Sequence, residues 1–222
     1  MEAAVAAARP RSVARWTILG GVLYVVLFVI GTIMLFGGAP NGDSAPAKVI
    51  QWYSDSGHRD RVNTGWILIT LSVFCLLWFI AALRRAVSIV DGEGILTGMV
   101  SIGGGIYAAL AFASVALNTG IRTMSDDTYQ HRVFPELIHA AGDVAWVMHA
   151  TGAVALGAMI IAASLAFMWG GVWPSWAGWV GVVVGFLSLA SIAFFPQFLF
   201  LLWILVVSIV IFLRSRPASR VA

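Results

Sequence analysis

Charge is what this 222-residue chain has least of. Asp, Glu, Lys and Arg together make up 10% of it, against roughly 25% in an average soluble domain. A soluble domain of this length needs a polar skin, and this composition does not supply one. Lysine is nearly absent, and the arginines are scattered along the chain, which excludes the basic patch of a nucleic-acid binder. The single cysteine, Cys75, excludes an internal disulfide and a CxxC site. Lying in an apolar run, it reads as a small packing residue. The chain has no HExxH and no GxSxG. Its apolar runs carry no acidic pair, so an intramembrane protease or a proton pump lacks its usual residues.

What is there is apolar. Hydrophobic residues form 60% of the chain. They gather into six runs, at about 16–37, 65–83, 95–117, 143–168, 176–194 and 197–213. A helix needs about 20 apolar residues to cross a bilayer. These runs are apolar all round the helix rather than along one stripe. The first run is too long for a signal-peptide core of roughly 7–15 residues, although Gly37, Gly38 and Ala39 supply small residues at its end. The expected fold is therefore all-α: a single membrane domain over 1–222, built as a six-helix transmembrane bundle. A re-entrant hairpin from the fifth and sixth runs is the alternative.

Two longer polar connections, 38–64 and 118–142, are each expected to carry a short surface helix. In the first, Ser44 can cap a helix with Pro46 in its first turn. Trp52 and Tyr53 would lie at headgroup level, and a charged turn would follow at Asp55, His58, Arg59, Asp60 and Arg61. In the second, Pro135 opens a helix that runs on into the fourth span. Counting Lys and Arg fixes the orientation. Arg9, Arg11, Arg15, Arg84, Arg85, Arg214, Arg216 and Arg220 fall on one side. Lys48, Arg59, Arg61, Arg122 and Arg132 fall on the other, in the longer loops. Both termini are thus expected in the cytoplasm. Trp16, Trp169, Trp173, Trp176 and Trp179 would mark the inner boundary, and Trp52, Trp66 and Trp146 the outer. Trp78 and Trp203 would pack between helices.

Few residues suggest chemistry. His139 and Asp143 are four apart, share a helix face and can hydrogen-bond. With His131 they form a candidate outer-side catalytic group. The plainer reading is that Asp143 caps the fourth helix. His149, inside the apolar run, is a candidate ligand-binding residue or the donor of one interhelical hydrogen bond. His58, His131, His139, Asp126 and Asp143 lie on one side, but their spacing is not that of a metal site, and no metal or cofactor is expected. Gly178, Gly181 and Gly185 form a smooth face suited to helix packing; Gly103, Gly104 and Gly105 are also read as packing positions, with a kink or a close ligand approach as the alternative. The first face could also serve self-association.

Three stretches look familiar together: APAKVIQWYSDSGHRDRVNTG (45–65), FCLLWFIAALRR (74–85) and WPSWAGWVG (173–181). They carry the patterns P-A-x-x-x-x-x-Y, W-F-x-x-x-L-R-R and P-x-W-x-G-W. In these the chain resembles a group of uncharacterised six-helix membrane proteins of high-GC actinobacteria. The resemblance implies a multi-pass protein of a bacterial plasma membrane and carries no activity with it. The leading functional expectation is non-enzymatic: an accessory or sensor-like protein, or a binder of a lipid or small hydrophobic ligand. Its partners would be the bilayer, a second copy or another membrane protein, and no nucleic acid. A small oligomeric transporter or channel is the alternative, and a membrane enzyme using the His/Asp group is the third.

Overall fold

The structure is a computed structural model and describes residues 16–40, 43–123, 132–192 and 197–214. It is all-α. Among the described residues the elements are α1 Gly20–Phe36, α2 Pro46–Ser54, α3 Ser56–Asp91, α4 Ile95–Thr123, α5 Pro135–Trp169, α6 Ser175–Leu189 and α7 Gln197–Arg214, with a 3₁₀ turn at Ala190–Ile192. There is no strand among the described residues. α3, α4 and α5 are long and apolar enough to cross a membrane, and α1, α6 and most of α7 are shorter apolar helices.

The six apolar helices close a ring. α1 packs on α3, α3 on α4, α4 on α5 and α5 on α6; α7 then touches both α6 and α1. Each neighbouring pair runs antiparallel. The main core inside the ring includes Tyr24, Phe79, Tyr107, Leu156, Phe167 and Phe200. The outside is apolar too: Ile33, Phe74, Trp78, Ile102, Val147, Val183 and Leu202 all face outward. A water-soluble monomer rarely exposes so continuous an apolar surface, and lipid is the solvent that suits it.

Glycine sets the tight seams. A Cβ on Gly65 of α3 would lie 2.9 Å from the Gly31 carbonyl oxygen of α1, so these backbones touch. One on Gly157 would lie 2.6 Å from the Gly185 carbonyl oxygen, and one on Gly103 would lie 2.4 Å from that of Ala155. Gly178 and Gly181 press on Met168 and Ser164, which spends the Gly178–Gly185 face inside the bundle. Gly104 packs against Ile80. Gly105 differs from expectation, since it points into open space and contributes no packing.

Helix ends depart from the expected boundaries: α1 (Gly20–Phe36) and α6 (ending at Leu189) are shorter than the runs 16–37 and 176–194, whereas the long helices extend outward. α3 is 36 residues long, about 54 Å at 1.5 Å per residue, well beyond a hydrocarbon core of about 30 Å. Arg59 and Arg61 lie in its first turns rather than in a loop, and Arg84 and Arg85 lie before its end. Its true stop is Gly92, at φ +63, where the backbone N–H returns to the Ser88 carbonyl. Likewise α4 reaches Thr123 and α5 starts at Pro135, absorbing much of the expected 118–142 connection. No separate surface helix appears there among the described residues. Ser44 does not cap α2, whose N-cap is Ala45. Trp78 is half-exposed on the outer face rather than packed between helices, whereas Trp203 is buried.

Candidate functional site

α2 lies across the α1/α3/α4/α5 end of the bundle, tied down from the first turn of α3. Asp55 caps α3 by accepting from the His58 N–H at 3.0 Å. The His58 ring stacks on Trp52 at 4.3 Å, and its Nδ1 is 2.9 Å from the Trp52 carbonyl. Arg59 donates to the carbonyls of Tyr53 and Ser54, at 2.9 and 2.8 Å, closing the last turn of α2. This junction delivers Tyr53 into a second, smaller core with Leu35, Val49, Val62, Ile69 and Ile138. Tyr53 is therefore not a headgroup anchor, because its side chain is buried.

Tyr53 meets the end of α4 there. The Arg122 guanidinium donates from Nη1 to the Tyr53 hydroxyl. It also lies over two rings, 5.5 Å from the Phe36 centroid and 5.6 Å from that of Tyr53. Burial pushes the Tyr53 phenol above its ordinary pKa, and the adjacent guanidinium acts the other way. Arg122 is only 7% exposed. Its Nε has no hydrogen-bond partner, and no carboxylate among the described residues pairs with it. A buried cation without a counter-charge is costly.

Beside Arg122 is a half-open cavity of about 240 Å³. α4 lines it with Ser114, Val115, Asn118 and Arg122; α5 with Gly142, Ala145, Trp146 and His149; α1 with Phe28, Thr32, Leu35 and Phe36; and α3 with Ile69. The polar α4 residues recur every fourth position and so share one face. Ser114 donates across to the Ala145 carbonyl at 2.7 Å, fixing α4 against α5. Asn118 is 6% exposed, and its Oδ1 has no partner. At the far end from Arg122 is His149, its ring 6.0 Å from Phe28 and 5.7 Å from Tyr107. Its Nε2 is also buried and unpartnered. Behind it, Tyr24 and Tyr107 share a buried hydrogen bond of 2.7 Å.

The sequence candidates divide. His149 lines the cavity. His139 and Asp143 do not, and no hydrogen bond or ion pair joins their side chains. Asp143 is exposed, and it does not cap α5, which starts eight residues earlier at Pro135 with Phe134 as N-cap. His131 and Asp126 lie outside the described residues. No three His, Cys, Asp or Glu side chains among the described residues could share a metal ion. In the sequence Arg122 reads only as a loop charge, and Tyr53, Ser114 and Asn118 carry no site signal of their own. The four-residue spacing of Ser114, Asn118 and Arg122 was the available signal.

A second cavity, of about 500 Å³, opens between α6 and α7. Trp176, Val180, Val184, Leu202 and Val206 are among its walls, with Trp173 and Arg214 at one end. It is almost wholly apolar. Arg214 donates to the Val172 carbonyl, so its charge is tied to the α5–α6 turn.

No protein-family model, curated protein or solved structure matches this chain.

Proposed function

We propose that the protein is a six-crossing integral membrane protein that binds a small amphiphilic ligand in the cavity between α1, α3, α4 and α5. The carrying observation is the wall chemistry: buried polar atoms on Arg122, Asn118 and His149 without partners, set among Phe28, Leu35, Phe36 and Ile69. Mostly apolar walls with a few convergent polar groups are the usual make-up of a ligand pocket. Six crossings are supported by the antiparallel ring, in which the shorter α6, α7 and α1 stand side by side and complete the circle begun by the longer α3, α4 and α5. α1, at 17 residues, measures about 25 Å, close to the hydrocarbon thickness. The arginine count puts both termini in the cytoplasm and the cavity at the outer end of the bundle. The resemblance in the three boundary stretches supports a bacterial plasma membrane.

Native mass spectrometry of protein extracted in mild detergent tests the ligand reading. The wild type is expected to retain a small-molecule adduct at one per chain. Thr32→Trp, which fills the cavity from α1, is expected to lose it while keeping its thermal transition. Equal adducts on both proteins would contradict the reading.

A further inference from the structure

The unsatisfied groups in this cavity specify more than an apolar ligand. Arg122 has a partner for Nη1 in Tyr53 but none for Nε, and no described carboxylate balances its charge. A guanidinium lying over two rings, with part of its donor fork unused, matches a carboxylate or phosphate oxygen. One helical turn away, Asn118 offers a bare amide oxygen, which accepts and does not donate. It therefore calls for a hydroxyl or N–H on the same ligand. The remaining walls, chiefly Phe28, Leu35 and Ile69, are apolar and suit an acyl or other hydrocarbon chain.

We infer that the ligand is an anionic, hydroxyl-bearing amphiphile, whose oxyanion is held by Arg122 and whose hydroxyl is read by Asn118. This rests on the proposal that the cavity is a ligand site and adds the class of ligand. Tyr53 acts as a positioning residue, because its hydroxyl accepts from Nη1 and orients the fork. The placement of the charge follows from the fold. Arg122 is at the end of the long α4, where a headgroup would lie, and His149 is deeper in the bundle. An amphiphile with its head at Arg122 and its chain toward Phe28 matches polarity along the whole cavity.

The test uses the full-length protein in a neutral detergent, with Trp146 fluorescence in the cavity wall as readout and Trp146→Phe as the control for the signal. The probes are dioctanoyl phosphatidylglycerol, dioctanoyl phosphatidylmethanol, dioctanoyl phosphatidylcholine, dioctanoylglycerol and inorganic phosphate. Phosphatidylglycerol should bind tightest. Phosphatidylmethanol, anionic but without the hydroxyl, should bind several-fold more weakly. Dioctanoylglycerol, which has no oxyanion, should fall by about 10- to 100-fold, the worth of one charge-assisted hydrogen bond; phosphatidylcholine, which keeps the phosphate but has no hydroxyl and adds a cation, should bind no better than phosphatidylmethanol. Arg122→Gln should erase the preference for anionic over neutral lipids, and Asn118→Leu the preference for the hydroxyl. The lipid series on the wild type decides the matter even if a variant fails to fold. Equal binding of phosphatidylglycerol and dioctanoylglycerol would overturn the anionic class while leaving the cavity a ligand site. Inorganic phosphate competing as well as the lipid would overturn the amphiphile. Binding of no probe, with the mass-spectrometric adduct also absent, would overturn both readings.

Discussion

The α6–α7 cavity and the cavity beside Arg122 differ in a way that volume hides. The α6–α7 cavity is about twice as large, yet its walls are almost entirely apolar. In a bilayer such a crevice is complete once a lipid tail lies against it, since tails are as apolar as the side chains they meet. The smaller cavity contains Arg122, Asn118 and His149 with unpartnered buried atoms. Each of these would cost free energy if left so. Trp173 and Trp203 of the larger cavity also hold buried indole N–H groups without partners, so what marks the smaller cavity is the charged group, Arg122, rather than size. The seams around the two cavities differ in parallel. α1/α3 and α5/α6 meet through backbone-to-backbone glycine contacts at Gly31, Gly65, Gly157 and Gly185, while α7 touches its neighbours sparingly.

The largest effect should come from breaking a tight seam. Gly65→Val places side-chain atoms where the α1 backbone already lies, at 2.8 Å from the Leu35 nitrogen. The expected outcome is loss of at least about 3 kcal/mol, read as a collapse in the yield of monodisperse protein. Ala177→Val in the α6–α7 cavity adds comparable bulk and should move the melting temperature hardly at all. Equal damage from both would remove the contrast between the seams.

Next is Tyr53→Phe. It removes the acceptor for Arg122 Nη1 and leaves a second donor of a buried cation unpaired. A hydrogen bond to a charged group is worth about 1.5–3 kcal/mol, and thermal unfolding in detergent should show a loss of that order. Added phosphatidylglycerol should restore part of it by binding the folded state. In the α6–α7 cavity, Val184→Trp should leave that lipid-dependent gain intact.

Glycine positions on α4 give a finer comparison. Gly103→Ala should destabilise, because its Cβ would meet the Ala155 carbonyl at 2.4 Å. Gly105→Ala meets nothing within 4 Å. It should be neutral or stabilise by up to about 1 kcal/mol through helix propensity. The smallest effect should be at Asp143→Asn. That side chain is exposed and outside the cavity, so a change within about 0.5 kcal/mol is expected, with unaltered lipid binding.

How much of this was legible in the sequence depends on the kind of signal. Apolar runs located the centres of all six apolar helices, because burial in protein and in lipid both demand apolar side chains. The ends are not legible where an apolar run gives way to charge. Arg59, Arg84 and Arg122 are all helical. Arginine has good helix propensity, so a helix leaving the bilayer continues through it. Glycine packing was readable for Gly103, Gly181 and Gly185 and misleading for Gly105, since a small residue says nothing about which face it occupies. The α4 half of the site was readable from the spacing of Ser114, Asn118 and Arg122. Its other half was not. Tyr53 lies 69 residues from Arg122, and only the packing of α2 back across the bundle brings them together. His149 was singled out for being polar within an apolar run, and it does line the cavity. The pairing of His139 with Asp143 rested on spacing alone, and spacing does not make a contact.

The most direct measurement is an experimental electron-density map of the protein extracted with its native lipid, inspected at the Arg122 guanidinium. The account predicts non-protein density within about 3 Å of the guanidinium nitrogens, continuing past Asn118 along the apolar wall toward Phe28. A carboxylate of the chain itself paired with Arg122, over an empty or collapsed cavity, would contradict it.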